Sequence, residues 1–521
     1  MMVRCFESLA VLREVVMISE SLRSNLDRWV MANFYGQLEK AFHLNSHKQA
    51  LILEDRTWTY GDLVMMVDHL AAVLMNSDVA PEDRVVVQVE KSAENLALYL
   101  ATLKIGAVYV PLNTAYTQKE LDYFISDAEP TVFVGEAERD DVLSYTLDAY
   151  GQGSLINSID PSSGEVGLVT RAGSDLASIL YTSGTTGVSK GAMLTHENLY
   201  SNALALSDCW GWRSDDVLLH ALPIFHVHGL FIASHCALLN GTPMVFLAKF
   251  QADEVLKEMS RCTVLMGVPT FYTRLLLQPK LTAASVENIR VFICGSAPLT
   301  EITFREWKER TGHEILERYG MSETIINTSN PLSGERVPGT VGFPLPGLSL
   351  RIADKFGAEV NRGEIGTIEV SGPAVFKGYW RMPEKTKDEI REDGFFITGD
   401  MGIQDEEGRV SIVGRAKDLV ISGGFNVYPK EVESVIDELE GVLECAVIGV
   451  PHADFGEAVV AVVVPEDEEI PLNFLKTALA ERLAKFKQPK AVVNVSELPR
   501  NTMGKVQKNL LRDRYSKILA D

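Results

Sequence analysis

The chain has 521 residues, with 49 Lys and Arg against 71 Asp and Glu and a formal net charge of −22. A polyanion repels polyanions, which argues against nucleic acid or an anionic membrane surface as the main partner. A composition of 46% hydrophobic and 23% charged residues belongs to a folded globular chain longer than one average domain, and excludes bulk disorder.

At the N-terminus, Arg4, Glu7, Arg13 and Glu14 interrupt the apolar character before a signal-peptide core can form. Residues 1–30 read as an N-terminal extension, with Met17 and Met31 as alternative starts. Alternation then begins. Arg84-Val-Val-Val-Gln-Val-Glu90 reads as a strand, residues 95–104 have helical spacing, and Ala107-Val-Tyr-Val110 is the next strand before Pro111. Further strands are expected at 216–222, 244–247, 263–267 and 290–294. The apolar stretch 229–250 carries His235, Asn240, Gly241 and Pro243, so it reads as a buried helix, a turn and a strand, with no membrane span. From 341 to 413 short strands and Gly-rich turns suggest a β-rich subdomain.

After Arg415 a small unit is expected, with helices near 430–439 and 473–485, strands near 445–450 and 458–464, and a terminal helix near 511–519. The fold class is therefore α/β. A large N-terminal domain (31–416) holds stacked, mostly parallel sheets with helices plus the β-rich subdomain. A small mobile α+β domain (417–521) follows. The acidic run Glu466-Asp-Glu-Glu469 reads as a solvated loop. The six cysteines (Cys5, Cys209, Cys236, Cys262, Cys294, Cys445) form no Cys-x-x-Cys, which points to a reducing, cytoplasmic location.

The strongest local signal is Tyr181-Thr-Ser-Gly-Thr-Thr-Gly-Val-Ser-Lys-Gly191, directly after the strand-like 176–180. Gly184, Gly187 and Gly191 let the backbone turn and expose N–H groups. Thr182, Ser183, Thr185 and Thr186 add hydroxyl donors, and Lys190 adds a cation. Such a loop holds phosphate oxygens. It is not a Walker A loop, because Gly191 follows Lys190 where Ser or Thr belongs.

This loop resembles the signature of the adenylate-forming superfamily: acyl-CoA synthetases, peptide-synthetase adenylation domains and luciferases. Tyr319-Gly-Met-Ser-Glu-Thr324, Thr398-Gly-Asp400, Gly414-Arg-Ala-Lys-Asp418 with Gly423-Gly424, and Pro499-Arg-Asn-Thr-Met-Gly-Lys505 resemble its later motifs, in family order. The resemblance runs from about residue 31 to 521 and implies ATP and coenzyme A as co-substrates, with Mg²⁺. It implies that Glu323 ligates Mg²⁺, that Ser322 reaches the α-phosphate, and that Gly320 and Met321 share the nucleotide turn. Relatives usually carry Thr where Ser322 stands, and the hydroxyl is retained. It further implies that Asp400 and Arg415 hold the ribose, that Ser296, Ala297 and Pro298 form the adenine turn, and that Tyr319 stacks on the base. Lys505 is the implied catalytic lysine, Lys417 the hinge, and Gly423–Gly424 the lining of the thiol's path.

For the acid, Leu222-Pro-Ile-Phe-His-Val-His-Gly229 matches the family motif that gates the acyl pocket, with His226 in the gating place. His226 and His228 are either acyl-site residues or satisfied core histidines. Met266-Gly-Val-Pro-Thr-Phe-Tyr-Thr-Arg-Leu275 lines the acyl pocket in relatives. There Arg274 either pairs with a second substrate carboxylate or faces solvent. Longer stretches, including Leu316-Glu-Arg-Tyr-Gly-Met-Ser-Glu-Thr324, Phe376-Lys-Gly-Tyr-Trp-Arg-Met-Pro-Glu-Lys-Thr386 and Gly423-Gly-Phe-Asn-Val-Tyr-Pro-Lys430, resemble malonyl-CoA synthetases. The expectation is ligation of malonate, or methylmalonate, to coenzyme A with release of AMP and pyrophosphate. The alternatives are a short- or medium-chain fatty acyl-CoA synthetase, a carrier-protein-loading enzyme, and a non-catalytic nucleotide-binding regulator. Between Arg482 and Lys517 ten basic residues face two acidic ones, a local charge suited to small polyphosphate ligands.

Overall fold

Apolar runs bounded by Gly and Pro make short strands, and the periodic stretches between them make helices that cover the strands. The computed structural model describes residues 33–182, 189–452, 454–500 and 505–519. These form two compact units. One comprises the chain up to Leu204 with Pro223–Pro243 and Phe376–Arg381; the other comprises Ala205–Leu222, Met244–Val375 and the chain from Met382 onward.

The first unit is built on a seven-stranded sheet in the order Gly378–Tyr379, Lys190–Thr195, Leu176–Thr182, Val108–Pro111, Arg84–Gln88, Val132–Gly135, Ser144–Thr146. From Leu176–Thr182 outward to Ser144–Thr146 the pairs are parallel; the other two are antiparallel. The helix Ala93–Lys104 starts where the Ser92 hydroxyl accepts the Asn95 N–H at 3.1 Å, and it is buried along its whole length. The helix Gln118–Ala128 opens with a Thr117/Glu120 capping box. It packs Leu121, Phe124 and Ile125 on Val86, Val108 and Phe133, each burial contributing about 1.5–3 kcal/mol. Within 229–250 the expected helix has two parts, a π-helical segment His228–Ser234 and the α-helix His235–Leu239. The Ser234 hydroxyl donates to the Gly229 carbonyl at 2.9 Å within this segment.

In the second unit the parallel strands Ile315–Tyr319, Val291–Cys294, Val264–Gly267, Leu218–His220 and Met244–Phe246 lie side by side. A four-stranded antiparallel sheet follows in the order Ser349–Ala353, Gly366–Ser371, Phe396–Gln404, Val410–Arg415. The C-terminal sheet pairs Val442–His452 with Gly456–Pro465 and sorts its residues by parity. Val447, Val459, Ala461 and Val463 pack beneath Val432, Ile436 and Leu475; Ala446, Ile448, Val460 and Val462 pack with Leu498 and Leu511. Period-two geometry thus buries both faces of one apolar run. The helix expected over 473–485 is Leu472–Leu479, and a strand not read from sequence, Ala491–Asn494, pairs in parallel with residues 460–463. No helix among the described residues is long and apolar enough to cross a membrane.

Candidate active site

Antiparallel register sets the polar centre of the second unit. Asp400 lies directly across from Arg415 on the neighbouring strand. The Arg415 Nε reaches Asp400 Oδ1 at 2.6 Å, and the Tyr319 hydroxyl, at the end of its own strand, donates to Oδ2 at 2.6 Å. Asp400 and Tyr319 are buried and Arg415 is half-buried. Buried Glu323 is within electrostatic reach of Arg415, on the turn through Gly320, Met321 and Ser322, where the Thr324 N–H donates to the Met321 carbonyl. Lys417 sits in the 3-10 turn Ala416–Asp418 directly after Arg415. Lys505 keeps access to solvent, yet desolvation lowers its pKa. Arg415 and Lys417 push the same way; Asp400 and Asp418 oppose them. The structure therefore brings Tyr319, Asp400, Arg415, Lys417 and Lys505 into one cluster.

Residues 295–298 follow the strand Val291–Cys294, with Ser296 in the left-handed region at φ 71°. The Glu317 carboxylate accepts the Leu299 N–H at 3.2 Å and ties this turn to the next strand. Burial pushes the Glu317 pKa up to about 7. Gly423 and Gly424, at φ 59° and 83°, form a two-residue turn between Val420–Ser422 and Phe425–Val427; this is the geometry a tight hairpin requires.

In the first unit, Thr182 pairs with Lys190 across antiparallel strands, so the phosphate-type loop is a hairpin connection with its ends fixed. Ser183, Gly184, Thr185, Thr186 and Gly187 lie outside the described residues. His228 is fully buried at the start of the π-helical segment, and His226 is half-buried with its Nδ1 accepting the His228 N–H at 3.3 Å.

Arg274 is exposed on the helix Pro269–Leu276, where it lines an open cavity with Phe250, Gln251, Asp253, Glu254 and Gln278. A second arginine has the opposite environment. Arg318 is 3% exposed, and its Nε and Nη2 have no hydrogen-bond partner among the described residues. Its guanidinium faces Tyr272 and Cys294, and desolvation pushes its pKa down to about 10. A Cβ on Gly295 would come within 2.5 Å of the guanidinium carbon, so only glycine admits this approach. Arg318 stands in the Leu316–Thr324 string; a Glu-Arg pair between apolar strand residues and a tyrosine was the signal available in the sequence.

In the second unit a buried carboxylate held by two donors, with a further acid and two lysines, suits a nucleotide-handling class of enzyme. Known proteins agree. The AMP-binding enzyme family profile matches residues 38–380, and that of the AMP-binding enzyme C-terminal domain matches 431–505. A malonate–CoA ligase of Arabidopsis thaliana is 34% identical over 82% of this chain and 77% of its own length. A feruloyl-CoA synthase of an Amycolatopsis species is 35% identical over 91% of this chain and 97% of its own. The ATP-bound crystal structure of MatB from Rhodopseudomonas palustris superimposes with a TM-score of 0.91 at 54% identity, covering 94% of this chain and all of that one. This chain belongs to the AMP-binding enzyme family. It is an AMP-forming acyl-CoA ligase with the adenylate-forming fold, and its substrates are a carboxylic acid, ATP and coenzyme A.

Proposed function

We propose that the acid is malonate, joined to coenzyme A through a malonyl-adenylate with release of AMP and pyrophosphate. The observation that carries this reading is Arg318. Two unpartnered guanidinium nitrogens buried against protein are costly, and a planar carboxylate offers two parallel hydrogen bonds. Tyr272, which Arg318 faces, belongs to the segment 266–275 that the sequence marks as the acyl-pocket wall. A monocarboxylic acid leaves the Arg318 Nε and Nη2 without a partner; malonate brings a second carboxylate. The sequence likeness to malonate–CoA ligases and the structural likeness to MatB support the same substrate.

In this reading Asp400 and Arg415 hold the ribose and Tyr319 stacks on the adenine beside residues 296–298. Lys190 and the loop hydroxyls hold phosphate oxygens. Lys505 steadies the charge that develops as the acid attacks the α-phosphorus. Lys417 is the hinge that lets the C-terminal residues reorient for thioester formation, with Gly423–Gly424 along the thiol's path. Magnesium suits the residues present: Glu323 supplies a buried carboxylate oxygen, and a hard cation completes its shell with phosphate oxygens and water. When bound, it would neutralise phosphate charge. No group of three or more His, Cys, Asp or Glu that could hold a metal occurs among the described residues. His226 and His228 are assigned to the acyl side. A reducing compartment, the cytoplasm, is the proposed location, supported by a cysteine set with no Cys-x-x-Cys spacing and no disulfide among the described residues.

The test is a substrate panel with full-length enzyme: acetate to octanoate, malonate, methylmalonate and succinate, for wild type, Arg318→Met and Arg274→Met. Arg318→Met is expected to lower kcat/KM for malonate about 100-fold, the worth of a charge-assisted pair. Arg274→Met is expected to leave it within about 2-fold, as for an exposed substitution. A wild-type preference for octanoate, or malonate turnover indifferent to Arg318, would remove the dicarboxylate reading.

A further inference from the structure

The two ends of the phosphate-type loop are held by residues distant in sequence. At the entry, the Tyr181 hydroxyl donates to the Asp127 carboxylate at 2.5 Å. At the exit, the Tyr123 hydroxyl donates to the Ser189 carbonyl at 2.8 Å. Both partners sit on the helix Gln118–Ala128. From the other side comes the short strand Gly378–Tyr379, which pairs antiparallel with Lys190–Thr195. The Trp380 N–H donates to the Gly191 carbonyl at 2.8 Å, and the Trp380 indole donates to the Asp127 carbonyl at 3.0 Å. A Cβ on Gly191 would stand 3.2 Å from the Trp380 Cβ and 2.7 Å from Ile179 Cγ2; glycine at 191 therefore allows this strand to close on the loop.

The consequence falls on Lys190. Its ammonium lies 4.2 Å from the centroid of the Tyr379 ring, and both residues are buried. Tyr379 is itself fixed, edge-to-face against Phe376 at 4.8 Å. A desolvated ammonium over an aromatic face is attracted by the ring quadrupole, and desolvation strengthens that attraction. A lysine stem has four rotatable bonds, and holding its end in one place costs entropy at binding unless the protein has already done so.

We infer that Tyr379 is a positioning residue for ATP: its ring face holds the Lys190 ammonium in place at the end of the phosphate loop before the nucleotide arrives. This rests on the reading of Lys190 as a phosphate ligand. Tyr379 touches no reacting atom; it acts through Lys190.

The experiment uses the full-length enzyme and separate KM values for ATP, acid and coenzyme A. Tyr379→Leu is expected to raise the KM for ATP about 3- to 10-fold, the worth of a partly desolvated cation–π pair, while Tyr379→Phe and Tyr379→Trp stay near wild type. The KM for coenzyme A is expected to be unchanged in all three. In a Lys190→Ala background, Tyr379→Leu should add no further loss for ATP. Where Tyr379→Leu fails to fold, phenylalanines of increasing ring fluorination at position 379 keep the shape and weaken the quadrupole; the KM for ATP should rise stepwise with fluorine number. Equal effects of Leu and Phe, additive losses in the Lys190→Ala background, or indifference to fluorination would overturn the role of Tyr379. Indifference of the KM for ATP to Lys190→Ala itself would instead overturn the phosphate-ligand reading on which it rests.

Discussion

Asp400 gives one oxygen to each of two donors, Oδ2 to the Tyr319 hydroxyl and Oδ1 to Arg415. Each carboxylate oxygen has two lone pairs, so each retains one for a further donor, and adjacent sugar hydroxyls match that pair. Asp400→Asn turns one acceptor into a donor among existing donors. It is expected to raise the KM for ATP about 10- to 100-fold, read by pyrophosphate release across an ATP titration; an unchanged KM would remove the ribose role. Lys505→Gln should slow adenylation about 100- to 1,000-fold while sparing thioester formation from supplied acyl-adenylate. Equal loss of both half-reactions would argue against a lysine that leaves between them. Asp400 and Arg415 were legible as motif residues. Their pairing was not, because it depends on the register of two strands. Arg274 and Arg318 are the opposite lesson. The chemistry of a carboxylate-pairing arginine was legible, but which arginine is buried depends on where one strand and one helix turn their side chains.

Elements explain why glycine recurs at the site. The strand Ile315–Tyr319 alternates its side chains, so Tyr319 and Arg318 leave it on opposite faces. Arg318 then lies flat against Gly295, where a Cβ would come within 2.5 Å of its guanidinium carbon. Gly295→Ala is therefore expected to destabilise the fold by about 1–3 kcal/mol through overpacking and to displace Arg318. Thermal unfolding and malonate kinetics should worsen together; full malonate activity in a folded Gly295→Ala protein would contradict the placement. Most parallel strands were readable from their apolar runs and flanking Gly or Pro. The strand Ala491–Asn494 was not, since its pairing among the described residues is with positions some thirty earlier. The π-helical opening at His228 was hidden for a similar reason: its composition is that of any buried helix, and the wider turn lies in the backbone pairing of His228–Ser234.

For the whole molecule, buried titrating groups set the stability profile. Burial pushes Glu317 up to about 7 and Asp437 up to about 6. For both, the folded state binds the proton more tightly than the unfolded chain. Their contribution is complete at low pH and is lost as pH rises through about 6 to 7. Burial lowers His196 to about 4 and His235 to about 3, so the stability tied to their neutral rings is present above 6.5 and lost as pH falls toward those values. Glu317→Gln keeps an acceptor for the Leu299 N–H and removes one titration. Its melting temperature is expected to fall less than that of wild type between pH 5 and pH 8, by differential scanning calorimetry; parallel curves would exclude Glu317 as a contributor. None of this is legible in sequence, where Glu317 is one acid among 71 Asp and Glu.

The sequence alone determined the class of chemistry. Phosphate-binding loops, a ribose-type Asp and a lysine in a Gly-containing turn are local devices, and their order along the chain is enough to recognise them. It also determined the α/β architecture, because apolar runs and their periodicity are properties of neighbouring residues. Only the tertiary structure decided which charges are buried together. It buried Arg318 and left Arg274 exposed, set Asp400 opposite Arg415, and placed Tyr379 under Lys190 across nearly two hundred residues. Burial and pairing arise from contacts between segments far apart in the chain, and those contacts fix the dielectric, the desolvation and the partners on which specificity depends.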